Sequence, residues 1–269
     1  MFVKICGITR EEDALLAVAM GADAVGFNFV SGSRRQIAPA VARDIARRLP
    51  PEILTVGIFR DEAASRLVEI TNTAGLKGAQ LHGHESAETT RWVRERVPFV
   101  VKVFAAGDEA LDQARSYGAD AIMIDTPGGG TGQVFDWSLA EERPDGIRTI
   151  LAGGLTPENV GEAVRRVKPW GVDVATGVEA DHGDPGRKDA RRVRAFIEAA
   201  RAAAPPTTRA SAPIRAPARR TTGCRTGRCD HNGGHGRDVD DPGALGPRAM
   251  ARSLSTRRPP SDLQPASAP

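Results

Sequence analysis

The stretch FVKICGITREEDALLAVAMGADAVGFNF, residues 2–29, contains the repeating unit from which the fold is read. A β-branched run (2–6) ends at Cys6, and Gly-Ile-Thr follows. REEDALLAVAMG (10–21) then spaces its apolar residues as a helix does, before a second apolar run, DAVGFNF (23–29). Thr9 reads as the N-cap of that helix, acidic residues fill its first turn, and Gly21 stands just past its end.

Six further strand-like runs continue the pattern: ILTVGIF (53–59), GAQLHG (78–83), FVVKVF (99–104), DAIMID (120–125), RTILAGG (148–154) and GVDVATG (171–177). Each is followed by a helical candidate. Pro39 opens one of them, and Thr156-Pro157 reads as N-cap then first helical residue. Near-continuous apolar strands alternating with helices specify a parallel sheet covered on its faces. Eight such units in about 200 residues predict an α/β fold of the closed (β/α)8 TIM-barrel type rather than an open doubly wound sheet. Gly-Ala-Asp-Ala recurs at 21–24 and 118–121, with an echo in Gly171-Val172-Asp173-Val174, each leading into a strand. This is a weak internal repeat of the βα unit.

Composition narrows the function classes. Of 37 Lys+Arg and 34 Asp+Glu, eleven and five lie in residues 205–269, leaving 26 basic and 29 acidic residues in 1–204. The excess basicity belongs to the C-terminal segment and says nothing about the ligand of the body, so no specific nucleic-acid partner is expected. Residues 1–204 are predicted to form the barrel, and 205–269, rich in Pro, Arg, Ser and Thr without apolar periodicity, a disordered tail. No apolar run reaches the roughly 18 residues of a membrane span, and the N-terminus lacks a signal-peptide pattern, so a cytoplasmic protein is expected. Cys6, Cys224 and Cys229 form no disulfide framework. With His231 and His235, the tail cysteines match no zinc-module spacing, and no metal is assigned.

In such a barrel the reactive groups stand where strands end and βα loops begin. That rule selects Cys6, Asn28 with the loop Ser31–Gln36, Phe59-Arg60-Asp61, Gln80 and His82, Lys102, Asp125, Gly153-Gly154, and Thr176-Gly177. Glycines after the seventh and eighth strands let backbone N–H groups approach a phosphate, which implies a phosphorylated small molecule. Gly128–Gly132 lacks the spacing of a nucleotide-binding loop, and no nucleotide cofactor is expected. Cys6 and Asp125 suit a base and an acid, the thiol made acidic by neighbouring positive charge, but a core cysteine and a loop-capping aspartate remain open readings. Arg34 and Arg35 fit either a substrate carboxylate or a solvated surface. His82 and His84 make a weak metal pair, and Lys102 reads as a Schiff-base lysine or as electrostatic lining.

Lys-Ile-Cys-Gly-Ile-Thr (4–9), Gln-Leu-His-Gly (80–83), Gly-Thr-Gly through Phe-Asp-Trp (130–137), Leu-Ala-Gly-Gly-Leu-Thr-Pro-Glu-Asn-Val (151–160) and Gly-Val-Asp-Val (171–174) occur in the order found in one family. Over residues 2–203 the chain resembles the phosphoribosylanthranilate isomerases of tryptophan biosynthesis. The resemblance implies a cofactor-free Amadori rearrangement with Cys6 as general base and Asp125 as general acid. It also implies Arg35 on the anthranilate carboxylate and a phosphate held around Gly153, Gly154, Thr176 and Gly177, in a monomer or homodimer. Three departures stand out: Arg34 where the family usually has proline, which predicts a looser loop; Ala175 where serine is common; and an acidic 180–184 segment that would repel phosphate if it folded inward. Indole-glycerol-phosphate synthases and ribulose-phosphate epimerases share the phosphate loops but need other catalytic sets. A non-enzymatic protein binding polyanions through its tail is the reading from a different class.

Overall fold

The computed structural model describes residues 1–127, 136–141, 146–182 and 186–205. Residues 128–135, 142–145, 183–185 and those from 206 onward, with Cys224, Cys229, His231 and His235, lie outside the described residues. Eight parallel strands close into a barrel in sequence order: β1 (Phe2–Ile5), β2 (Ala24–Asn28), β3 (Leu54–Phe59), β4 (Gly78–Leu81), β5 (Phe99–Ala105), β6 (Ala121–Asp125), β7 (Thr149–Leu151) and β8 (Gly171–Val174), with β8 paired back to β1. The helices between them are α1 (Glu11–Ala19), α2 (Pro39–Ala46), α3 (Ala64–Thr73), α4 (Ala87–Arg94), α5 (Ser138–Glu141), α6 (Val160–Val167) and α7 (Ala190–Ala203). The connection after β5 is a 3-10 helix, Glu109–Tyr117. None of the described helices is long and apolar enough to cross a membrane.

The strands are mainly apolar on the outward face, Thr55, Lys102 and Thr149 excepted, and graded on the inward one, which decides where the site stands. Outward residues such as Val3, Ile5, Val25, Phe27, Ile122, Ile124, Val172 and Val174 pack with helix residues Ala14, Ala17, Val164, Val193 and Phe196. Inward residues Phe2, Ala24, Leu54, Val56, Phe99, Val101, Ala121, Met123 and Ile150 fill the barrel's interior. Alternation carries the same inward face up each strand, from Phe2 to Lys4 and Cys6, from Ala121 through Met123 to Asp125, and from Gly78 through Gln80 to His82. The interior is therefore apolar below and polar at the C-terminal mouth.

The structure explains the Gly-Ala-Asp repeat. Asp23 Oδ2 accepts the Val3 N–H at 2.8 Å, and Asp120 Oδ2 accepts the Val100 N–H at 2.8 Å, so each aspartate satisfies the first free donor of the preceding strand. Asp173 differs. It lies within β8 in register with Lys4, and its Oδ1 receives the Lys4 ammonium at 2.9 Å in a pair almost wholly removed from water.

Several local expectations are corrected. The residue before α1 is Arg10 rather than Thr9, and no side chain caps that helix; α6 starts after Asn159, not at Pro157. Thr156 instead organises the turn ahead of α6, its Oγ1 accepting from Glu158 N at 3.3 Å and its N–H donating to Asn159 Oδ1 at 2.8 Å. Strands β4, β7 and β8 stop short of the predicted ends, leaving His82-Gly83, Ala152–Gly154 and Ala175–Gly177 as loop backbone. Pro39 does open α2 at its first turn.

Candidate active site

Cys6 follows β1 and Asp125 ends β6, so the two stand at the same mouth with β7 and β8 between them around the ring. Cys6 is half-buried as a residue and its thiol is free. A Cβ on Gly26 of the neighbouring β2 would come within 3.0 Å of Cys6 Sγ and 3.2 Å of Lys4 Cε, so the bare glycine makes room for thiol and ammonium side by side. Burial pushes the Cys6 thiol up and the Asp173 charge adds to this, outweighing the pull of the Lys4 and Lys188 ammonium groups. The expectation of a net acidified thiol is thus corrected: positive charge is present, but desolvation prevails. Burial also pulls Lys4 down, yet Asp173 and Cys6 together hold it above the ordinary lysine value.

Arg35 is buried, not solvated. Its stem lies over Gly7, whose φ of +72° suits glycine and whose missing side chain leaves room for Arg35 Cδ. The anchor of this arginine is Glu179, which the sequence reading did not single out. Arg35 Nε donates to Glu179 Oε1 at 2.5 Å and Nη2 to Oε2 at 3.3 Å, while Nη2 also reaches Thr176 Oγ1 at 2.7 Å. Arg34 Nη2 reaches Glu179 Oε2 at 2.7 Å, and Lys188 Nζ lies 3.3 Å from Oε1 and 3.1 Å from the Ala175 carbonyl. Burial raises the Glu179 carboxyl, but the Arg35 hydrogen bond and the charges of Lys188, Arg35 and Arg34 bring it below its usual range. Glu179 takes the Nε–Nη2 edge of Arg35 in a two-point pair.

The second loop is tied rather than loose. Asn28 Nδ2 donates to Ser33 Oγ at 3.1 Å, Ser33 Oγ accepts the Arg35 N–H at 3.2 Å, and Arg34 reaches across to Glu179. Within the acidic 180–184 segment, Asp181 is exposed and paired with Arg192 at 2.5 Å on the outer surface. The rest of it, from 183, lies outside the described residues.

Gly153 and Gly154 both have positive φ, +86° and +62°. A Cβ on Gly153 would overlap Thr126 Oγ1 and stand 3.0 Å from Asp125 Oδ1, so this loop lies directly against the Asp125 carboxyl. Asn159 Nδ2 secures it by donating to the Gly154 carbonyl at 3.0 Å. Gly177, in a 3-10 turn over Thr176–Val178, packs on the Leu155 carbonyl so closely that any Cβ would overlap the oxygen. The two glycine loops therefore touch, backbone on backbone. Gly177→Ala is expected to destabilise the protein by about 2 kcal/mol, lowering Tm by about 4–8 °C in thermal unfolding, because a carbonyl cannot swing away as a side chain can.

The remaining strand-end residues divide. His82 Nε2 lies 3.2 Å from Asp125 Oδ2, whereas the exposed His84 turns to Asp61 at 3.4 Å, so the two rings diverge. Among the described residues no three His, Cys, Asp or Glu side chains form a metal-holding group. Lys102 is buried on Glu85 at 2.8 Å and the Gly83 carbonyl at 2.6 Å, which makes it a clamp for the loop after β4.

Fold and site together define a (β/α)8-barrel enzyme equipped for acid–base chemistry at its C-terminal mouth. Residues 3–199 match the family model described as N-(5'phosphoribosyl)anthranilate (PRA) isomerase. The chain is 49% identical over 208 residues to N-(5'-phosphoribosyl)anthranilate isomerase of Desulforudis audaxviator, covering 75% of this chain and 98% of the relative. Among solved structures it is similar to phosphoribosyl anthranilate isomerase from Thermus thermophilus, with 41% identity and TM-score 0.70, covering 75% of this chain and 99% of that one. It is also similar to a phosphoribosyl anthranilate isomerase in complex with reduced 1-(o-carboxyphenylamino)-1-deoxyribulose 5-phosphate, with 40% identity, TM-score 0.65 and coverage of 75% and 99%. The chain belongs to the phosphoribosylanthranilate isomerase family.

Proposed function

We infer that the chain converts N-(5-phosphoribosyl)anthranilate to 1-(2-carboxyphenylamino)-1-deoxyribulose 5-phosphate, the third step from chorismate to tryptophan. The reaction oxidises C2 and reduces C1 of one molecule, so its electrons balance without an external redox partner. Asp125 protonates the furanose ring oxygen as the ring opens to an iminium ion. Cys6 removes the C2 proton to give an enolamine, which becomes the ketone as C1 gains a proton and the C2 hydroxyl gives one up, so this last step is proton-neutral. Arg35 takes the anthranilate carboxylate, and the backbone of Gly153-Gly154 and Thr176-Gly177 takes the phosphate.

The observation that carries this reading is the gathering of Cys6, Asp125 and Arg35 at one mouth, with the glycine loop of Gly153 packed against the acid. Cys6, Asp125, Arg35 and the two glycine loops lie on a single chain, a set compatible with a monomer or a homodimer, and a cytoplasmic setting suits a reduced Cys6. Since α7 ends at Ala203, residues 1–204 should carry the activity alone. Expression of the full chain and of residues 1–204 should each restore growth without tryptophan to a bacterium lacking this isomerase. Growth with neither, although both are folded, would contradict the assignment.

Because Cys6 acts as a base only when deprotonated, its upward shift places the rising limb of kcat/KM above the ordinary thiol range, about pH 8.5. A pH profile of the wild type measures this directly. The limb should vanish in any Cys6 variant that retains residual turnover.

A further inference from the structure

Asp125 must regain its proton after each turnover, and the groups facing its carboxyl offer a route. Oδ1 accepts the Thr126 N–H at 2.7 Å, and Oδ2 faces His82 Nε2 at 3.2 Å. On the far side of the ring, the Gln80 amide nitrogen lies 3.0 Å from His82 Nδ1. With the Gln80 amide nitrogen as the donor in this contact, Nδ1 accepts and the ring proton is assigned to Nε2, aimed at the carboxylate. The same amide leaves Gln80 Oε1 buried without a hydrogen-bond partner, on a side chain 1% exposed. Turning the amide over would bring Oε1 to Nδ1, the orientation that a ring protonated at Nδ1 requires.

The histidine is held for this task. Its N–H donates to the Phe59 carbonyl at 2.8 Å, and Gly83 beside it is gripped at both ends, N–H to Glu85 Oε2 at 3.0 Å and carbonyl to Lys102 Nζ at 2.6 Å. The charged and titratable groups around it are accounted for. Lys102 on β5 is paired with Glu85, Asp61 after β3 is turned to His84, and Arg60 directs Nε to the His82 carbonyl at 3.4 Å. The ring remains in touch with water, its side chain 18% exposed against 9% for Asp125.

We propose that His82 is a positioning residue that relays a solvent proton to Asp125, with the Gln80 amide selecting the tautomer. The proposal rests on Asp125 being the general acid. Once Asp125 has protonated the ring oxygen, its carboxylate accepts from His82 Nε2–H. A proton from water binds Nδ1 as Gln80 presents Oε1; the Nε2–H bond breaks, an O–H bond forms at Oδ2, and the ring is left neutral with its proton on Nδ1. One proton passes from water to the carboxyl and no electrons change hands. Exchange with water returns the ring to its starting tautomer as the amide turns back.

The test combines 15N spectra of the histidine-labelled full chain with kinetics of His82→Gln and His82→Ala. The wild-type resonance that disappears in His82→Gln should show the Nε2–H tautomer. Turnover by His82→Gln should fall about tenfold or more while KM stays within about threefold of wild type. Added imidazole should raise kcat in His82→Ala and leave Asp125→Asn unchanged. An Nδ1–H tautomer in the free enzyme, unchanged kcat in folded His82→Gln, or imidazole without effect on His82→Ala would each overturn the relay. A wild type without isomerisation overturns the functional reading and the relay together, whereas an active wild type indifferent to His82 overturns the relay alone.

Discussion

Asp125→Asn is expected to lower kcat by about three orders of magnitude with little change in KM, and Cys6→Ser to do the same. The asparagine keeps the shape of the site, since its oxygen can still accept the Thr126 N–H now bound at 2.7 Å. What it lacks is an acidic proton, so the furanose oxygen must leave as an alkoxide. Serine likewise fits beside Gly26 and Lys4, but its hydroxyl is a far weaker acid than the thiol and supplies almost no base at any pH where the enzyme is folded. Acid and base act in one reaction sequence, so the double variant should lose much less than the product of the single losses. Steady-state kinetics of the three proteins, with thermal unfolding as a control for folding, measure both effects.

Glu179→Ala is expected to cost about 3 kcal/mol of stability, a fall in Tm of about 6–12 °C, because Arg35 and Lys188 would be left as buried unpaired cations. KM should rise as well, since Glu179 fixes the guanidinium that takes the substrate carboxylate. The acid dependence has a definite sign. The Glu179 carboxyl lies below its ordinary value in the folded protein, so its stabilisation is complete above the ordinary glutamate range and is lost as pH falls through the folded value. Wild-type Tm should therefore drop more steeply below about pH 4.5 than that of Glu179→Ala, which thermal melts across pH would show.

The barrel was legible because its evidence is periodic: eight apolar runs, each followed by a helical segment, leave few arrangements other than a closed parallel sheet. The positions of Cys6, Asp125, the Ser31–Gln36 loop and the two glycine loops beyond the strand ends followed from the same periodicity. The partners across the mouth were not legible. Glu179 is 144 residues from Arg35, and Asp173 is 169 from Lys4, so no local pattern links them. Asp173 was further hidden by the repeat, whose other members, Asp23 and Asp120, cap strand ends. His82 was selected at a strand end and the metal pair with His84 judged weak, but no role followed, because spacing alone cannot show that its ring turns to Asp125 while that of His84 turns away. The cap assigned to Thr9 failed where boundary signals are weakest, the helix opening instead after Arg10 without side-chain support.

The most direct measurement follows the anthranilate fluorescence of freshly formed phosphoribosylanthranilate after addition of wild type, Cys6→Ser or Asp125→Asn in a single run. Rapid decay with the wild type, and decay slowed about a thousandfold with either folded variant, is the predicted result. Decay that is equally fast with all three, or absent with folded wild type, would contradict it.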